Sequence, residues 1–469
     1  MRRVHIQTFG CQMNAYDTER MREQLAADGW VEGAEADADL VILNSCSIRE
    51  KAEHKLASAA GRLRDWKRAR PGAILAVGGC VATQEGERLL ERAPLVDFTF
   101  GPDQIAILPS LVARAAATRA RFAATAFTDV EDYTFLDANP APGGVAVTAL
   151  VTIQKGCDHH CAYCVVPATR GPEVSRPIDE VVREVERLCA LGAREVTLVG
   201  QNVNAYHGVH TDGERGAAFV ELLRRVDAVP ALRRLRYTTS HPKDFTRPVA
   251  RAFAELRTLQ PWLHLPVQSG SSRTLRRMVR EYTREAYVEQ IGWVREACPD
   301  ISLSTDVIVG YPGETEADFT ETLSLLEQIR YDSIYSFEYS PRPDTPALKL
   351  RLKDDVPAVE KAARLQAVQA LQARVTAERL DRLVGRTVEV LVEGEAARGD
   401  GRLCGRAPGN EMVNFAPGPT SAAAPVAAGA LVTVEVTARR VHTLSGHLTA
   451  LIEAPRRAAS SRRLPVVAA

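Results

Sequence analysis

Three cysteines lie within one short stretch of the sequence, immediately after an apolar segment that has the character of a β-strand. They are Cys157, Cys161 and Cys164, and the predicted strand covers residues 145–154. A tight loop that carries three thiols can offer three ligands to one metal centre. Thiolates are the usual protein ligands of iron–sulfur clusters, and a [4Fe–4S] cluster needs four ligands. The spacing therefore predicts a cluster in which one iron lacks a protein ligand and can bind another molecule.

The alternative interpretation of this loop is a structural zinc site. Zinc-binding cysteines normally come as two short pairs that are far apart in the sequence. This loop has no matching second pair, although His159 or His160 remains available as a fourth ligand. The C-x3-C-x2-C spacing favours the cluster, and it resembles the hallmark loop of the radical S-adenosylmethionine (SAM) superfamily. That resemblance implies that the open iron binds the amino and carboxylate groups of SAM.

Length and composition limit the possible classes of protein. A chain of 469 residues is expected to form about two to four domains. The 59 basic and 59 acidic residues cancel, so any surface that binds nucleic acid must be a local patch. The nine cysteines are an odd number, and the sequence shows neither a signal peptide nor an apolar run of membrane-spanning length. We therefore predict a cytoplasmic protein without a membrane partner, whose thiols serve metal or redox chemistry.

The first region, residues 1–118, alternates strand-like apolar segments with helical ones. Residues 40–43 form a continuous apolar run, which is typical of a strand buried on both faces of a parallel sheet. Asp17 is a plausible N-cap for the first helix. The alternation predicts an α/β domain with a doubly wound parallel sheet. Its predicted strands are 4–8, 40–43 and 73–77, and its predicted helices are 17–29, 48–70 and 103–117.

A second group of cysteines falls at the ends of these three strands. Cys11, Cys46 and Cys80 each follow one predicted strand, in turns that contain glycine or asparagine. Ligands of open parallel sheets bind in the crevice beyond the carboxyl ends of the strands. Three separately buried cysteines are the alternative, because a free cysteine packs well as a small apolar residue. The shared position favours a second three-cysteine iron–sulfur cluster, again with one open iron.

The middle of the chain changes to regular strand–helix units. Residues 119–142 are predicted to form a linker rich in Ala, Thr, Asp and Pro, and residues 143–376 a partial (β/α)6 barrel. The ligand site of such a barrel lies at the carboxyl ends of its strands. The predicted strands are 145–154, 195–199, 235–239, 262–267, 301–309 and 333–339.

The last region is predicted to be a small β-barrel. A long helix over residues 357–384 leads out of the central barrel, and the remainder of the predicted domain 377–454 alternates apolar and polar side chains, with predicted strands at 387–394, 401–404 and 431–436. Small terminal β-barrels often bind nucleic acid, and the charges of this one are mixed. Residues 455–469 are predicted to be a disordered tail.

Polar residues follow several barrel strands, on the same rim as the first cysteine group. We interpret six of them as candidate contacts for the amino-acid and ribose parts of SAM, and we assign no role to His241. The six candidates are Gln201, Asn202, Ser240, Gln268, Ser269 and Asp306.

Two further groups of residues have weaker signals. A basic cluster on a predicted helix is either a solvated face or a phosphate-binding surface. It consists of Arg273, Arg276, Arg277, Arg280 and Arg284. The three remaining cysteines have no partners at ligand spacing and receive no function; they are Cys189, Cys298 and Cys404.

With both cysteine groups placed, the chain resembles the methylthiotransferase family almost from end to end. That family combines an N-terminal three-cysteine domain, a radical-SAM barrel and a C-terminal TRAM domain. The tRNA-modifying branch is indicated by residues 8–17 (TFGCQMNAYD), 44–53 (NSCSIREKAE), 165–171 (VVPATRG) and 265–271 (LPVQSGS). Two positions depart from the family pattern: Ala168 replaces an aromatic residue, and Asp344 replaces a glycine. Both changes leave the cysteines intact but affect the expected packing near the substrate.

The resemblance implies 2-methylthiolation of N6-isopentenyladenosine at position 37 of tRNA. It also implies two [4Fe–4S] clusters, SAM as methyl and radical source, a reductant such as flavodoxin or ferredoxin, and a sulfur donor or cluster-repair system. We expect a monomer. Two related branches remain alternatives, one acting on threonylcarbamoyl-adenosine in tRNA and one on an aspartate of a ribosomal protein. An iron–sulfur RNA-binding regulator without turnover is an alternative of another class.

Overall fold

The protein is built from three units in chain order. The computed structural model describes residues 1–47, 50–140, 145–208, 216–397, 401–417 and 426–455. An N-terminal sheet domain and a C-terminal β-barrel both dock on a central barrel. Together they confirm the predicted fold class of doubly wound sheet, partial (β/α)6 barrel and small β-barrel.

The N-terminal domain is a parallel sheet of six strands with helices on its faces. Its strands Leu40–Ser45, Ile74–Gly78 and Phe98–Phe100 are buried throughout, as expected where helices cover both faces. The strands, in sheet order, are Trp30–Glu32, Arg2–Phe9, Leu40–Ser45, Ile74–Gly78, Phe98–Phe100 and Phe122–Ala124. The α-helices are Gln12–Ala27, Glu50–Arg62, Arg64–Ala69, Cys80–Glu85, Glu87–Arg92 and Leu108–Thr118, with 3-10 turns at Glu35–Asp37 and Pro102–Ile107.

Two features of this domain differ from the sequence prediction. The first helix begins at Gln12 with Cys11 as its N-cap, so the prediction of Asp17 as N-cap is wrong. Asp17 lies within the helix and is buried, and its carboxylate pairs with the Arg170 guanidinium of the central barrel. The edge strand Phe122–Ala124 lies inside the predicted linker, where the Phe122 ring stacks 5.3 Å from the Phe98 ring. The first two residues of the predicted helix 48–70 lie outside the described residues.

The central barrel has six parallel strands in two three-stranded groups. A parallel bridge between Leu235 and Leu259 links the groups. The strands are Thr148–Thr152, Glu195–Val199, Arg234–Tyr237, Trp262–His264, Ser302–Val309 and Ser333–Glu338. The α-helices are Val166–Arg170, Ile178–Ala190, Ala217–Asp227, Arg247–Glu255, Ser272–Arg277, Arg284–Ala297, Glu316–Ile329 and Pro346–Lys349, with 3-10 turns at Val203–Ala205 and Pro242–Asp244. A short hairpin pairs Gln154–Lys155 with Val174–Ser175.

The C-terminal unit is a closed five-stranded barrel that follows the long helix Ala358–Asp381. Two of its strands, Met412–Ala416 and Thr443–Glu453, are absent from the prediction. All five strands are Thr387–Glu395, Leu403–Arg406, Met412–Ala416, Leu431–Arg439 and Thr443–Glu453. Of the predicted tail 455–469, all but the first residue lies outside the described residues. Among the helices that the structure describes, none combines the length and the apolar character that a membrane crossing requires.

The two terminal units dock at opposite ends of the central barrel. Met13 and Tyr16 of the first domain pack against Leu150 and Val199, which lie on the inner side of the barrel. At the other end, the buried Arg234 donates to the Arg406 carbonyl oxygen at 2.6 Å. The carboxyl ends of the barrel strands therefore face the cysteine-bearing edge of the first sheet.

Candidate active site

The first cysteine group (Cys157, Cys161 and Cys164, the barrel triad) sits on a loop that is closed by backbone contacts. Gly156 has φ +73°, and a β-carbon there would lie 1.8 Å from the Pro172 carbonyl oxygen. Cys157 N–H donates to the Gly171 carbonyl oxygen at 3.2 Å. Only glycine permits this close approach at a left-handed backbone angle. The loop is therefore folded tightly enough to bring three thiols to one side.

Several donors point at the sulfur atoms of the barrel triad. The buried Arg280 guanidinium donates to Cys161 Sγ at 3.3 Å, and Val166 N–H donates to Cys164 Sγ at 3.4 Å. His241 Nε2 lies 3.7 Å from Cys161 Sγ. Hydrogen bonds of this kind stabilise thiolate and cluster sulfur. Arg280 belongs to the predicted basic cluster, but it is neither solvated nor available to phosphate.

His241, to which the sequence analysis assigned no role, donates to this triad. Burial and the nearby Arg280 charge lower the pKa of His241, so the ring is neutral. Its Nδ1 accepts the Lys243 N–H at 3.1 Å, which leaves the ring proton on Nε2. His241 therefore presents an N–H group to the Cys161 sulfur. A polar turn after a strand is too common in sequences for this role to have been predicted.

The chemistry of the barrel triad fits a metal cluster. Burial raises the pKa of Cys157 and of Cys164 to about 12, so both thiols keep their protons unless a metal displaces them. Two buried donors, Arg280 and His241, face the Cys161 sulfur. His159 is turned away towards Asp244, with 2.6 Å between Nε2 and Oδ2, and His160 is exposed. Neither histidine faces the sulfurs as a zinc ligand.

The second cysteine group (Cys11, Cys46 and Cys80, the sheet triad) is brought together at one edge of the first sheet. Each cysteine follows the carboxyl end of one of three adjacent parallel strands. Gly10 and Gly79 adopt positive φ, and a β-carbon at Gly10 would approach Cys46 Cβ to 2.6 Å. Beneath the thiols, Asn14 and Asn44 bond to each other and are fully buried. The three thiols lie close together at this edge of the sheet, as the strand pattern predicted.

The electrostatics of the sheet triad differ between its cysteines: they favour thiolate at Cys11, whereas burial raises the pKa of Cys80. The pKa of Cys11 is lowered to about 6, chiefly by a hydrogen bond from Cys46, against the raising effect of burial. The position of Cys11 at the N-terminus of the helix Gln12–Ala27 acts in the same direction. Arg170 donates through Nε to Cys80 Sγ at 3.2 Å. The donor set therefore fits an anionic iron–sulfur cluster.

A cavity of about 440 Å³ connects the sheet triad with the interior of the central barrel. The helix Val166–Arg170, which follows Cys164 closely, forms part of its wall. The opposite end reaches the C-terminal barrel at Arg406 and Asn410. Barrel side chains along the cavity include Thr148, Leu150, Glu195, Val199, Arg236, Trp262, His264, Asp306, Tyr335 and Phe337.

The six candidate SAM contacts occupy different environments. Gln201 and Asp306 line the cavity, and Gln201 Oε1 accepts the Gly156 N–H at 2.5 Å. Asn202 Nδ2 donates to Asp244 Oδ2 at 2.8 Å. The Ser269 hydroxyl instead lies 3.2 Å from that of Thr322, on the helix that covers the strand.

The remaining two candidates are also near the rim. Ser240 is buried, and its hydroxyl has no hydrogen-bond partner among the described residues. Gln268 has φ +69°, and its N–H bonds to the Asp306 carbonyl oxygen at 2.8 Å. The structure thus brings Gln201 and Asp306 to the cavity and gives Asn202 and Ser269 protein partners. These assignments stay predictions.

The other predicted groups, which are the basic cluster and the three remaining cysteines, make contacts within the folded protein. Arg273, Arg277 and Arg284 bond to backbone carbonyl oxygens of neighbouring loops and helices. Cys189 is buried in the barrel core, and Cys404 is buried in the C-terminal barrel. Cys298 packs at the edge of the barrel core. These residues lie outside the cavity.

Three family models match the chain in succession. They are the uncharacterized protein family UPF0004 over residues 3–101, the Radical SAM superfamily over 151–326 and the TRAM domain over 381–449. Among solved structures, the radical S-adenosylmethionine methyltransferase TsrM from Kitasatospora setae, with cobalamin and a [4Fe-4S] cluster bound, matches with a TM-score of 0.53. The match has 16% identity and covers 74% of each chain, so it shows a common fold. The central barrel is a radical SAM domain, and SAM with an iron–sulfur cluster is the cofactor set of that superfamily.

Curated relatives match along nearly the whole chain and carry one name, tRNA-2-methylthio-N(6)-dimethylallyladenosine synthase. The protein of Anaeromyxobacter sp. (strain K) is 49% identical, over 95% of this chain and 94% of the relative. That of Myxococcus xanthus (strain DK1622) is 47% identical, over 97% and 96%. That of Geobacter metallireducens is 48% identical, over 95% and 98%. The predicted resemblance is confirmed: this chain belongs to the tRNA-2-methylthio-N6-dimethylallyladenosine synthase family of radical SAM methylthiotransferases.

Proposed function

We propose that this protein inserts sulfur and a methyl group at C2 of N6-isopentenyladenosine, at position 37 of tRNA, by a radical SAM mechanism. The observation that carries the proposal is the placement of the two cysteine triads. The sheet triad opens into the barrel cavity, and the helix that follows the barrel triad forms a wall of the same cavity. A substrate base in this cavity would lie beside the sheet triad and against the helix that follows the barrel triad.

We assign one [4Fe–4S] cluster to each triad. When bound, the cluster on Cys157, Cys161 and Cys164 supplies reductive cleavage of SAM to a radical, and the cluster on Cys11, Cys46 and Cys80 supplies a site that presents sulfur. The C2–H bond of adenine is not acidic enough for a base to remove its proton, so a radical must remove the hydrogen atom. The two centres therefore need separate chemical roles.

The protein's own residues bind the reactants and keep water away. Met13, Leu150 and Val199 form an apolar contact between the sheet domain and the barrel. Gln201 and Asp306 remain the candidates on the cavity wall for holding polar groups of SAM. Excluding water protects a reactive radical from side reactions.

The target base must leave its stack to enter this cavity. A cavity of about 440 Å³ suits a single nucleotide and not a stacked anticodon loop. Because the cavity extends to Arg406 of the C-terminal barrel, we propose that the TRAM domain contacts the tRNA around the extruded nucleotide. A reductant such as flavodoxin or ferredoxin and a sulfur donor or cluster-repair system complete the partners.

Cysteine variants test the division of labour. Cys11→Ala, Cys46→Ala or Cys80→Ala should preserve cleavage of SAM to 5′-deoxyadenosine and abolish methylthiolation. Cys157→Ala, Cys161→Ala or Cys164→Ala should abolish both. Cys404→Ala is the matched control, since this cysteine is buried on the strand Leu403–Arg406 of another domain and should leave iron content and both activities unchanged. Equal loss of SAM cleavage in the two sets of variants would refute the assignment.

Substrate identity is tested with purified enzyme prepared without oxygen. Isopentenylated tRNA should be methylthiolated, while threonylcarbamoyl-adenosine tRNA and the ribosomal protein should not react. Nucleoside mass spectrometry detects the product directly. Absence of 5′-deoxyadenosine under reducing conditions would instead indicate an RNA-binding regulator without turnover.

A further inference from the structure

Arg170 has contacts that neither cluster assignment explains by itself. It is buried, at 6% exposure, and its side chain crosses from the barrel to the sheet domain. Its Nε donates to Cys80 Sγ at 3.2 Å. Its two terminal nitrogens donate to the two carboxylate oxygens of Asp17, at 3.3 and 2.5 Å. All these partners belong to the other domain.

The backbone around Arg170 is part of the loop that carries the barrel triad. The helix Val166–Arg170 begins two residues after Cys164, and the Val166 N–H bonds to the Cys164 sulfur. The next residue, Gly171, accepts the Cys157 N–H. A short connection therefore runs from two cysteines of the barrel triad, through the Cys164 sulfur and the Cys157 backbone N–H, to the Cys80 sulfur of the sheet triad.

We propose that Arg170 is a positioning residue that fixes the sheet triad relative to the barrel triad and sets the reduction potential of the cluster that the sheet triad holds. The inference rests on the proposed assignment of that cluster. Asp17 acts as its counter-ion: burial raises the pKa of this carboxyl, but the permanent charge of Arg170 and its two-point hydrogen bond oppose burial and favour the ionised carboxylate.

The physical basis is the response of a cluster to nearby charge. Reduction adds negative charge to the cluster, so a positive group that donates a hydrogen bond to a ligand sulfur makes reduction easier. Removing the guanidinium should make the potential more negative. Removing the Asp17 carboxylate leaves the guanidinium uncompensated and should make the potential more positive. Opposite shifts from two residues of one ion pair are not expected from a purely structural role.

The test isolates the second cluster. The protein is reconstituted without oxygen in a background in which Cys157, Cys161 and Cys164 are all alanine, and the cluster potential is measured by redox titration followed by electron paramagnetic resonance. Arg170→Gln should shift the potential to more negative values, and Asp17→Asn should shift it to more positive values. Arg170→Lys keeps the charge and should shift it less than Arg170→Gln.

Arg20→Gln is the matched control. Arg20 is also buried, lies on the same helix as Asp17, and forms an ion pair with Glu184 of the barrel at 3.7 Å. It crosses the same domain interface without contacting a cysteine. Its substitution should loosen the interface, as seen in thermal unfolding, without changing the potential.

Each outcome decides the proposal. The same potential in Arg170→Gln and Arg20→Gln, or shifts of the same sign in Arg170→Gln and Asp17→Asn, would overturn the proposed role of Arg170. Either result would leave the assignment of a cluster to the sheet triad intact. If Arg170→Gln does not fold, the comparison of Arg170→Lys with Asp17→Asn decides: a positive shift in Asp17→Asn with a near-native potential in Arg170→Lys supports the role. A background protein that holds no iron would overturn the second cluster and this inference together.

Discussion

Substitution of Gly156 by alanine should open the barrel triad without unfolding the domain. The added β-carbon would lie 1.8 Å from the Pro172 carbonyl oxygen, and non-bonded heavy atoms need roughly 3.5 Å, so the two segments must separate by about 1.5 Å or more. The left-handed backbone at φ +73° costs a residue with a β-carbon about 1–2 kcal/mol. Loss of the bond between Cys157 N–H and the Gly171 oxygen adds about 1 kcal/mol.

The expected total of about 2–3 kcal/mol is smaller than the usual stability of a folded domain, about 5–15 kcal/mol. The protein should therefore stay folded while the loop loses the geometry that aligns its three thiols. On the proposed assignment of one cluster to each triad, Gly156→Ala should hold about half of the wild-type iron after reconstitution without oxygen, kept by the sheet triad. It should form almost no 5′-deoxyadenosine. Iron and sulfide analysis and the SAM-cleavage assay measure both effects.

Gly292→Ala is the control. Gly292 lies within the helix Arg284–Ala297, and nothing approaches the position of its β-carbon within 4 Å. Alanine there should stabilise the helix by about 1 kcal/mol and leave iron content unchanged. Full iron content and normal SAM cleavage in Gly156→Ala would show that close approach at this loop is not needed for cluster binding, and would refute the reasoning.

The docking of the C-terminal barrel supports two further predictions. Arg234→Met leaves the Arg406 carbonyl oxygen without its donor and breaks the ion pair with Glu389 at 2.9 Å. It should therefore weaken docking of the C-terminal barrel by about 1–3 kcal/mol, which limited proteolysis between the domains would detect as faster cleavage. An unchanged rate of cleavage would contradict this prediction. Hydrogen bonds from Arg233 and the charge of Arg194 hold the pKa of Glu453 at about 2, below its ordinary value. Because the folded-state pKa is depressed, the stabilisation by Glu453 is complete above roughly pH 4.5 and is lost as the pH falls towards 2. Glu453→Gln should therefore be less stable than the wild type near pH 7 and nearly equal to it near pH 2 in urea unfolding; a constant difference would exclude the linkage.

Strand positions were predictable where apolar residues run continuously. The predicted strand 40–43 lies within Leu40–Ser45, because its continuous apolar run suits a parallel strand that is buried on both faces. The strands Met412–Ala416 and Thr443–Glu453 were not predicted. Their core and solvent faces mix polar, small and apolar residues, and closure of the C-terminal barrel gives them partners that local sequence does not reveal. The predicted cap at Asp17 failed for a related reason, since its partner lies 153 residues away.

The sequence alone determined where the thiols lie. Cys157, Cys161 and Cys164 are held by one loop, and Cys11, Cys46 and Cys80 follow adjacent parallel strands whose carboxyl ends must meet at one edge. Only the tertiary structure decided which cations face those sulfurs. Arg170 reaches Cys80 across 90 residues because the sheet domain docks on the central barrel. Arg280 reaches Cys161 across 119 residues because folding of the central barrel brings the two segments together. Local spacing sets ligand geometry, whereas the charges that tune a metal centre come from surfaces that meet only after the chain has folded.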